Sequence, residues 1–176
     1  NRELYMEQIT PFIDKPFVKV ITGIRRCGKS VVLRLIREEL LRRGVSEDYI
    51  IYMNFESFEW IDMKEAKALY AHIREATKAS GKYYILLDEI QEVTDWEKAV
   101  NAFLVDLDVD IYVTGSNSRL LSSEFSTYLA GRYVAFHIMT LSFREYLLFH
   151  DLPLTISVSD RKTEFLKYLR MGGFPA

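Results

Sequence analysis

Two glycines, a lysine and a serine near the start of the chain have residue types and a spacing suited to phosphate chemistry. Residues 23–30 read Gly-Ile-Arg-Arg-Cys-Gly-Lys-Ser and fit the pattern G-x-x-x-x-G-K-[ST]. In such a loop the glycines let backbone N–H groups face phosphate oxygens, and the helix that follows adds its partial positive charge. Lys29 would contact the phosphates and Ser30 would offer its hydroxyl to Mg²⁺. The spacing therefore predicts a site for a nucleoside triphosphate.

The loop also has the flanking elements that this chemistry requires. An apolar run at 17–22 predicts a strand before it, and apolar residues at helical spacing predict a helix from Lys29 to about Arg43, ended by Gly44. This order points the N-terminus of the helix at the phosphates. The residues predicted to bind the nucleotide are Gly23, Ile24, Arg25, Arg26, Cys27, Gly28, Lys29, Ser30 and Val31.

Two acids at the end of another apolar run are the next candidates. The run 83–87 is followed directly by Asp88 and Glu89. Sites in parallel sheets form at the C-terminal edge of the strands, so both carboxylates are expected beside the phosphate loop. We expect Asp88 to hold Mg²⁺ and Glu89 to orient and polarise the attacking water.

A polar turn and an arginine complete the candidate set. Residues 113–118 read Val-Thr-Gly-Ser-Asn-Ser, and we predict that Asn117, with Ser116 as second choice, contacts the γ-phosphate or the water. Hydrolysis usually needs a cation besides the lysine. Arg132 is the best candidate because Gly131 lets the backbone bend just before it, although a surface ion pair explains this arginine equally well.

The composition is that of a globular domain. Among 176 residues, 49% are hydrophobic and 27% charged, which excludes a disordered chain. The net charge of −2 provides no general attraction to nucleic acid or to an anionic membrane. No apolar stretch is long enough for a membrane span, and a single cysteine, Cys27, suits a reducing cytoplasm. The three histidines have no metal-ligand spacing.

Predicted strands and helices alternate, as in a parallel sheet covered by helices. The strands are predicted at 17–22, 49–55, 83–88, 110–114 and 132–138, and the helices near 29–43, 62–79, 94–107, 142–150 and 160–171. Capping-box spacing predicts three helix starts, at Asp62 with Glu65, Thr94 with Glu97, and Ser142 with Glu145. Residues 115–124 are expected to form a loop with a short helix.

Several segments of the chain together resemble a known family. They are Ile21 to Ser30, Leu87 to Gln91, Thr114 to Leu121, Leu129 to Arg132, Leu141 to Tyr146, and Gly172 to Pro175. In these segments the sequence resembles the prokaryotic AAA-type ATPases that carry a C-terminal domain of unknown function. The paired arginines of the loop and the last two segments are the most specific part of the resemblance, which spans almost the whole chain.

The resemblance implies a P-loop NTPase fold of the additional-strand type. This is an α/β fold with three α/β/α layers and a five-stranded parallel sheet of order 5-1-4-3-2. ATP and Mg²⁺ would lie at the C-terminal edge of the sheet, with Asp88 on the metal, Glu89 on the water and Asn117 at the sensing position. Residues 1–150 would form the ATPase domain, and 151–176 would begin a helical connector to a C-terminal domain outside this sequence.

Several activities would use the same binding residues. The leading hypothesis is Mg²⁺-dependent ATP hydrolysis that drives a conformational change in an attached or partner domain. A switch that binds ATP or ADP without turnover is one alternative, and an ATPase that acts on DNA is another, although the net charge does not favour it. Self-association is also compatible with the sequence. A small-molecule kinase would need an acceptor pocket and an arginine-rich lid, and the sequence indicates neither.

Overall fold

A computed structural model describes residues 3–116, 120, 127–155 and 157–174. The strands in this part of the chain are β1 (Val18–Thr22), β2 (Ile50–Asn54), β3 (Tyr83–Asp88), β4 (Val109–Gly115) and β5 (Tyr133–His137). The α-helices there are α1 (Glu3–Ile9), α2 (Lys29–Arg42), α3 (Ala66–Ala76), α4 (Trp96–Asp106), α5 (Phe143–Phe149) and α6 (Val158–Met171). Of these helices, α1 was not predicted from the sequence.

The described strands form one parallel sheet with the order β2-β3-β4-β1-β5. This is the order 5-1-4-3-2 read from the other edge, so the predicted sheet is confirmed. Both β1 and β3 have neighbours on either side, and every residue of both strands is buried. A strand that is buried on both faces is read in sequence as an almost continuous apolar run, as β3 is up to Asp88. In β1 the apolar run is interrupted by the buried Lys19.

Helices cover both faces of the sheet, so the molecule has three layers. On β3, Leu87 packs in the hydrophobic cluster that contains Phe103 of α4, together with residues of α3. Its neighbour Leu86 points to the opposite face and packs in the cluster that contains Leu33 of α2, together with Ile9 of α1. Successive side chains of a strand point to opposite faces, so one short strand anchors both helical layers.

Two of the predicted helices begin later than their capping patterns indicate. Helix α3 begins at Ala66 rather than near Asp62, and α4 begins at Trp96 rather than near Thr94. The reason is a β-bridge between Glu65 and Thr94, in which the Ala66 N–H donates to the Thr94 carbonyl at 3.1 Å. The backbone at both starts is committed to this contact between segments, and neither N-cap side chain accepts a helix N–H.

The third predicted cap is confirmed, and the two helices that follow the sheet contact each other. Ser142 Oγ accepts the Glu145 N–H at 3.3 Å, and the Glu145 carboxylate accepts the Ser142 N–H at 2.8 Å.

Beyond α6, the Gly173 carbonyl accepts the Leu141 N–H at 2.7 Å. Tyr168 of α6 donates its hydroxyl to the Leu141 carbonyl at 2.8 Å. The division of the chain near residue 150 stays a prediction.

Within the residues described, no helix combines the length and the apolar character needed to cross a membrane.

Candidate functional site

The predicted phosphate loop joins β1 to α2 at the C-terminal edge of the sheet, and it is tightly packed. A Cβ on Gly23 would lie 2.5 Å from the Ile138 carbonyl oxygen and 2.6 Å from Cys27 Sγ, so no larger residue fits there. Gly28 has a left-handed backbone with φ of 99°, a conformation that glycine adopts without steric cost. The Cys27 side chain is fully buried and fills the inside of the loop.

Lys29, the first residue of α2, holds its ammonium group inside the loop. Nζ donates to the carbonyl oxygens of Gly23 and Ile24, each at 3.3 Å. It also lies 3.1 Å from Oε1 of Glu89. Only 3% of the lysine side chain is exposed, so these acceptors replace water around the charge. The ammonium is therefore held at the N-terminus of a helix, beside an acid from a distant strand.

Asp88 ends β3 and is completely buried. Its carboxylate accepts hydrogen bonds from the Thr114 hydroxyl at 2.5 Å and from the Tyr52 hydroxyl at 3.0 Å. Burial and the neighbouring Asp88 carboxylate raise the pKa of Tyr52, so its hydroxyl keeps its proton and remains a donor. The two neighbouring strands, β2 and β4, thus orient the carboxylate from both sides.

Glu89 follows in a left-handed backbone conformation with φ of 54° and ψ of 48°, which is uncommon for a residue with a side chain. Its N–H donates to the Thr114 hydroxyl oxygen at 2.9 Å, so this one hydroxyl links the two neighbouring acids. The two oxygens of the Glu89 carboxylate have different partners. Oε1 lies near the Lys29 ammonium, and Oε2 accepts a hydrogen bond from Nε2 of Gln91 at 2.5 Å.

Two cavities among the described residues open at this edge of the sheet. One, of about 530 Å³, is lined by residues 28–31 of the loop and by Phe149 of α5. The other, of about 730 Å³, is lined by Gln91 and Ser116, among others. Both include Lys29 and Glu89, so the ammonium and the carboxylate stand where the two cavities meet.

The structure brings together most of the site residues predicted from sequence, but not all of them. Lys29, Asp88 and Glu89 lie at one edge, and Ser30 lines the smaller cavity with the loop. Both arginines of the loop are exposed, and Arg25 pairs with Glu56 at 3.2 Å. Asn117, predicted to contact the γ-phosphate or the water, lies outside the described residues.

Arg132 is not near the phosphate loop of its own chain. It immediately precedes β5, and its carbonyl accepts the N–H of Val18, the first residue of β1. The guanidinium donates to Asn101 Oδ1 at 2.7 Å and to the Tyr128 carbonyl at 2.9 Å. Because β5 runs parallel to β1, the residue before it lies at the edge opposite the loop. The structure therefore does not bring Arg132 to the phosphate loop of its own chain.

Four residues that lie at the site in the structure were given no role from their sequence positions. They are Tyr52, Gln91, Thr114 and Phe149. Gln91 and Thr114 lie in segments that carry the family resemblance, which is the one signal that pointed near them. Tyr52 and Phe149 are ordinary apolar positions of a strand and a helix, and only the packing of distant segments brings them here.

Comparisons with known proteins agree with this geometry. A family model described as an AAA domain (AAA_14) matches residues 15–147, which is more than half of the chain. An uncharacterized protein of Haemophilus influenzae is 43% identical over 177 residues, covering 100% of this chain and 44% of that protein. The chain thus spans less than half the length of this relative.

Solved structures with similar folds include two of larger proteins. Cdc6p from Pyrobaculum aerophilum has a TM-score of 0.57 and 12% identity, covering 86% of this chain and 48% of that one. AMPPCP-bound DnaA from Aquifex aeolicus has a TM-score of 0.54 and 19% identity, covering 98% of this chain and 60% of that one. At these identities the likeness concerns the fold alone. The family match shows the family, and the similar folds and the packed phosphate loop agree with it. The chain belongs to the AAA domain family and is a prokaryotic AAA-type P-loop ATPase domain.

Proposed function

We propose that this domain binds ATP with Mg²⁺ and hydrolyses it, and that turnover drives a conformational change in an attached or partner domain. The observation that carries the proposal is the Lys29 ammonium, held in the loop 3.1 Å from Glu89. Asp88 lies directly beside that glutamate. A cation for the phosphates, a carboxylate for the metal and a carboxylate for the water are the groups that phosphoryl transfer to water requires.

The residues around Asp88 fit a magnesium ion that is held mainly by phosphates and water. Among the described residues, each Asp88 carboxylate oxygen accepts one side-chain hydrogen bond, so each keeps capacity for a further partner. Ser30 supplies a hydroxyl from the first turn of α2. The described residues include no cluster of three His, Cys, Asp or Glu side chains, and Mg²⁺ with substrate phosphates needs only one or two protein ligands. The bound ion would neutralise charge on the phosphates.

The Lys29–Glu89 contact suggests how substrate binding prepares the reaction. In the structure, the Glu89 carboxylate and two loop carbonyls satisfy the Lys29 ammonium. Phosphate oxygens would take over the ammonium, since they carry more negative charge than one carboxylate. Oε1 of Glu89 would then be released, and it could accept a proton from the attacking water. The same carboxylate would thus pair first with the lysine and then with the attacking water.

The smaller cavity indicates where the base would lie. Phe149 of α5 is 50% exposed and lines this cavity together with Ser30 and Val31. An exposed aromatic ring beside a phosphate loop offers a face for a purine, and such stacking contributes about 1–3 kcal/mol per base. We assign the adenine to the Phe149 side and the γ-phosphate to the Glu89 side.

Arg132 could contribute to hydrolysis only where two copies of the chain meet. Its side chain is exposed, and it lies at the edge of the sheet opposite the loop. A guanidinium there would have to serve the nucleotide of a second copy. Arginines supplied by a partner are a known device for neutralising charge in phosphoryl transfer.

The test is ATP binding by calorimetry and single-turnover hydrolysis with this chain. We expect Lys29→Ala to lose binding, and Glu89→Gln to bind ATP but turn over at least about a hundredfold more slowly. Lys67→Ala and Glu38→Gln are matched controls, because both residues are exposed on helices, and they should behave as wild type.

The other outcomes separate the alternatives. Tight binding without turnover in the wild type would favour a switch that responds to ATP or ADP. If wild type and Lys29→Ala failed equally to bind ATP, the nucleotide assignment itself would be wrong.

A further inference from the structure

We propose that Gln91 is a positioning residue for hydrolysis, which holds the Glu89 carboxylate in the orientation that activates water. This inference rests on the proposed ATPase function and deepens it. Gln91 lies in the short 3₁₀ turn Ile90–Glu92, directly after the two acids. Ile90 is fully buried and anchors that turn against the sheet.

The hydrogen bond between the two side chains has a defined direction. Nε2 of Gln91 donates to Oε2 of Glu89 at 2.5 Å. The opposite orientation of the amide would put its oxygen against the carboxylate, so two acceptors would face each other. The chemistry of the partner therefore fixes which end of the amide faces Glu89.

This orientation of the Gln91 amide leaves its oxygen in an unfavourable environment. Oε1 is buried and has no hydrogen-bond partner among the described residues. It packs so closely over Gly115, at the end of β4, that a Cβ there would lie 2.0 Å away. An apolar side chain of similar length would fill this space without leaving a buried acceptor unpaired. The donor on Nε2 is thus the feature that glutamine contributes here.

This donor matters most once phosphates are bound. In the described part of the chain, Lys29 and Gln91 are the two side chains that contact the Glu89 carboxylate. If Lys29 turns to the phosphates, Gln91 remains to hold Oε2, and Oε1 is left for water. A carboxylate without this restraint would sample other rotamers, and misorientation of a catalytic group lowers the rate more than the affinity.

The experiment compares Gln91→Met with wild type in ATP affinity, single-turnover rate at saturating ATP, and Tm. Methionine keeps the length and bulk of the side chain and removes the donor. We expect the rate to fall by about tenfold or more, with ATP affinity within about twofold of wild type. Gln8→Met, on the exposed face of α1, is the matched control and should behave as wild type.

A double variant tests whether Gln91 acts through Glu89. In a Glu89→Gln background the carboxylate is gone, so Gln91→Met should slow the residual rate no further. If Gln91→Met lowers the rate by the same factor in both backgrounds, or lowers the Tm and the affinity together with the rate, the role is structural and the proposal is wrong. Gln91→Leu, which is uncharged and also lacks the donor, repeats the test if the methionine variant does not fold.

The two proposals fail in different ways. A wild-type chain that binds ATP without hydrolysing it overturns the ATPase proposal, and the role of Gln91 falls with it. A wild-type chain that hydrolyses ATP, beside a Gln91→Met variant of equal rate, overturns only the role of Gln91.

Discussion

Replacing Thr114 by valine should destabilise the fold far more than the loss of one surface hydroxyl would. The Thr114 hydroxyl donates to the buried Asp88 carboxylate and accepts the Glu89 N–H. Valine has nearly the same shape, so packing is preserved while both hydrogen bonds disappear. The substitution therefore isolates the polar contribution of this residue.

The expected loss in the free energy of unfolding follows from the two hydrogen bonds of the Thr114 hydroxyl. A hydrogen bond to a charged group contributes about 1.5–3 kcal/mol, and a buried donor without a partner costs about 1–3 kcal/mol. Tyr52 still donates to the other oxygen of Asp88, so the carboxylate is not left without a partner. We therefore expect the free energy of unfolding to fall by a value near the lower limit of the sum, about 2.5 kcal/mol. For a domain of this size this corresponds to a fall in Tm of roughly 5–10 °C.

The assay is urea unfolding followed by far-UV circular dichroism. Thr163→Val is the control, because this threonine is exposed on α6 and donates to the Ser159 carbonyl at 3.2 Å; its effect should stay within about 0.5 kcal/mol. In an Asp88→Asn background, Thr114→Val should cost at least about 1 kcal/mol less, since the acceptor is then uncharged. A Thr114→Val effect no larger than that of the control would refute the reasoning.

Three further predictions concern the base, a second copy and acid stability. Phe149→Ala should weaken ATP binding about 5- to 150-fold while inorganic tripolyphosphate binds as before; equal losses for both ligands would contradict a base contact. Lys29→Ala and Arg132→Ala, each inactive alone, should recover hydrolysis when mixed, if Arg132 serves a neighbouring site; a mixture without activity excludes that role. Hydrogen bonds from two arginines at the end of α2 lower the pKa of Glu39 from its ordinary 4.5 to about 2. The contribution of the Glu39 carboxylate to stability is thus present above pH 4.5 and lost as the pH falls towards 2. Glu39→Gln should therefore reduce the free energy of unfolding in urea at about pH 7 but change it little at about pH 2. Equal effects at the two pH values would contradict this prediction.

The sequence by itself predicted the type of site and, through the family resemblance, the order of the sheet. The glycines, lysine and serine of residues 23–30 predict a phosphate loop because few other arrangements need that spacing. The strand β3 and its two terminal acids were predicted to the residue, since a strand buried on both faces is a continuous apolar run with clear ends. The strand order came from the family resemblance, and the structure confirms it.

Only the tertiary structure decided how distant segments meet. The bridge between Glu65 and Thr94 displaced two helix starts, because a backbone contact between segments overrode two local capping patterns. The position of Arg132 depended on which end of β5 lies near the loop, and the residue types around it contain no such information. The partners of Asp88 and Glu89 come from β2, β4 and the turn after β3. Local spacing records what a segment can form, whereas the hydrogen bonds that orient a catalytic group depend on neighbours far away in the chain.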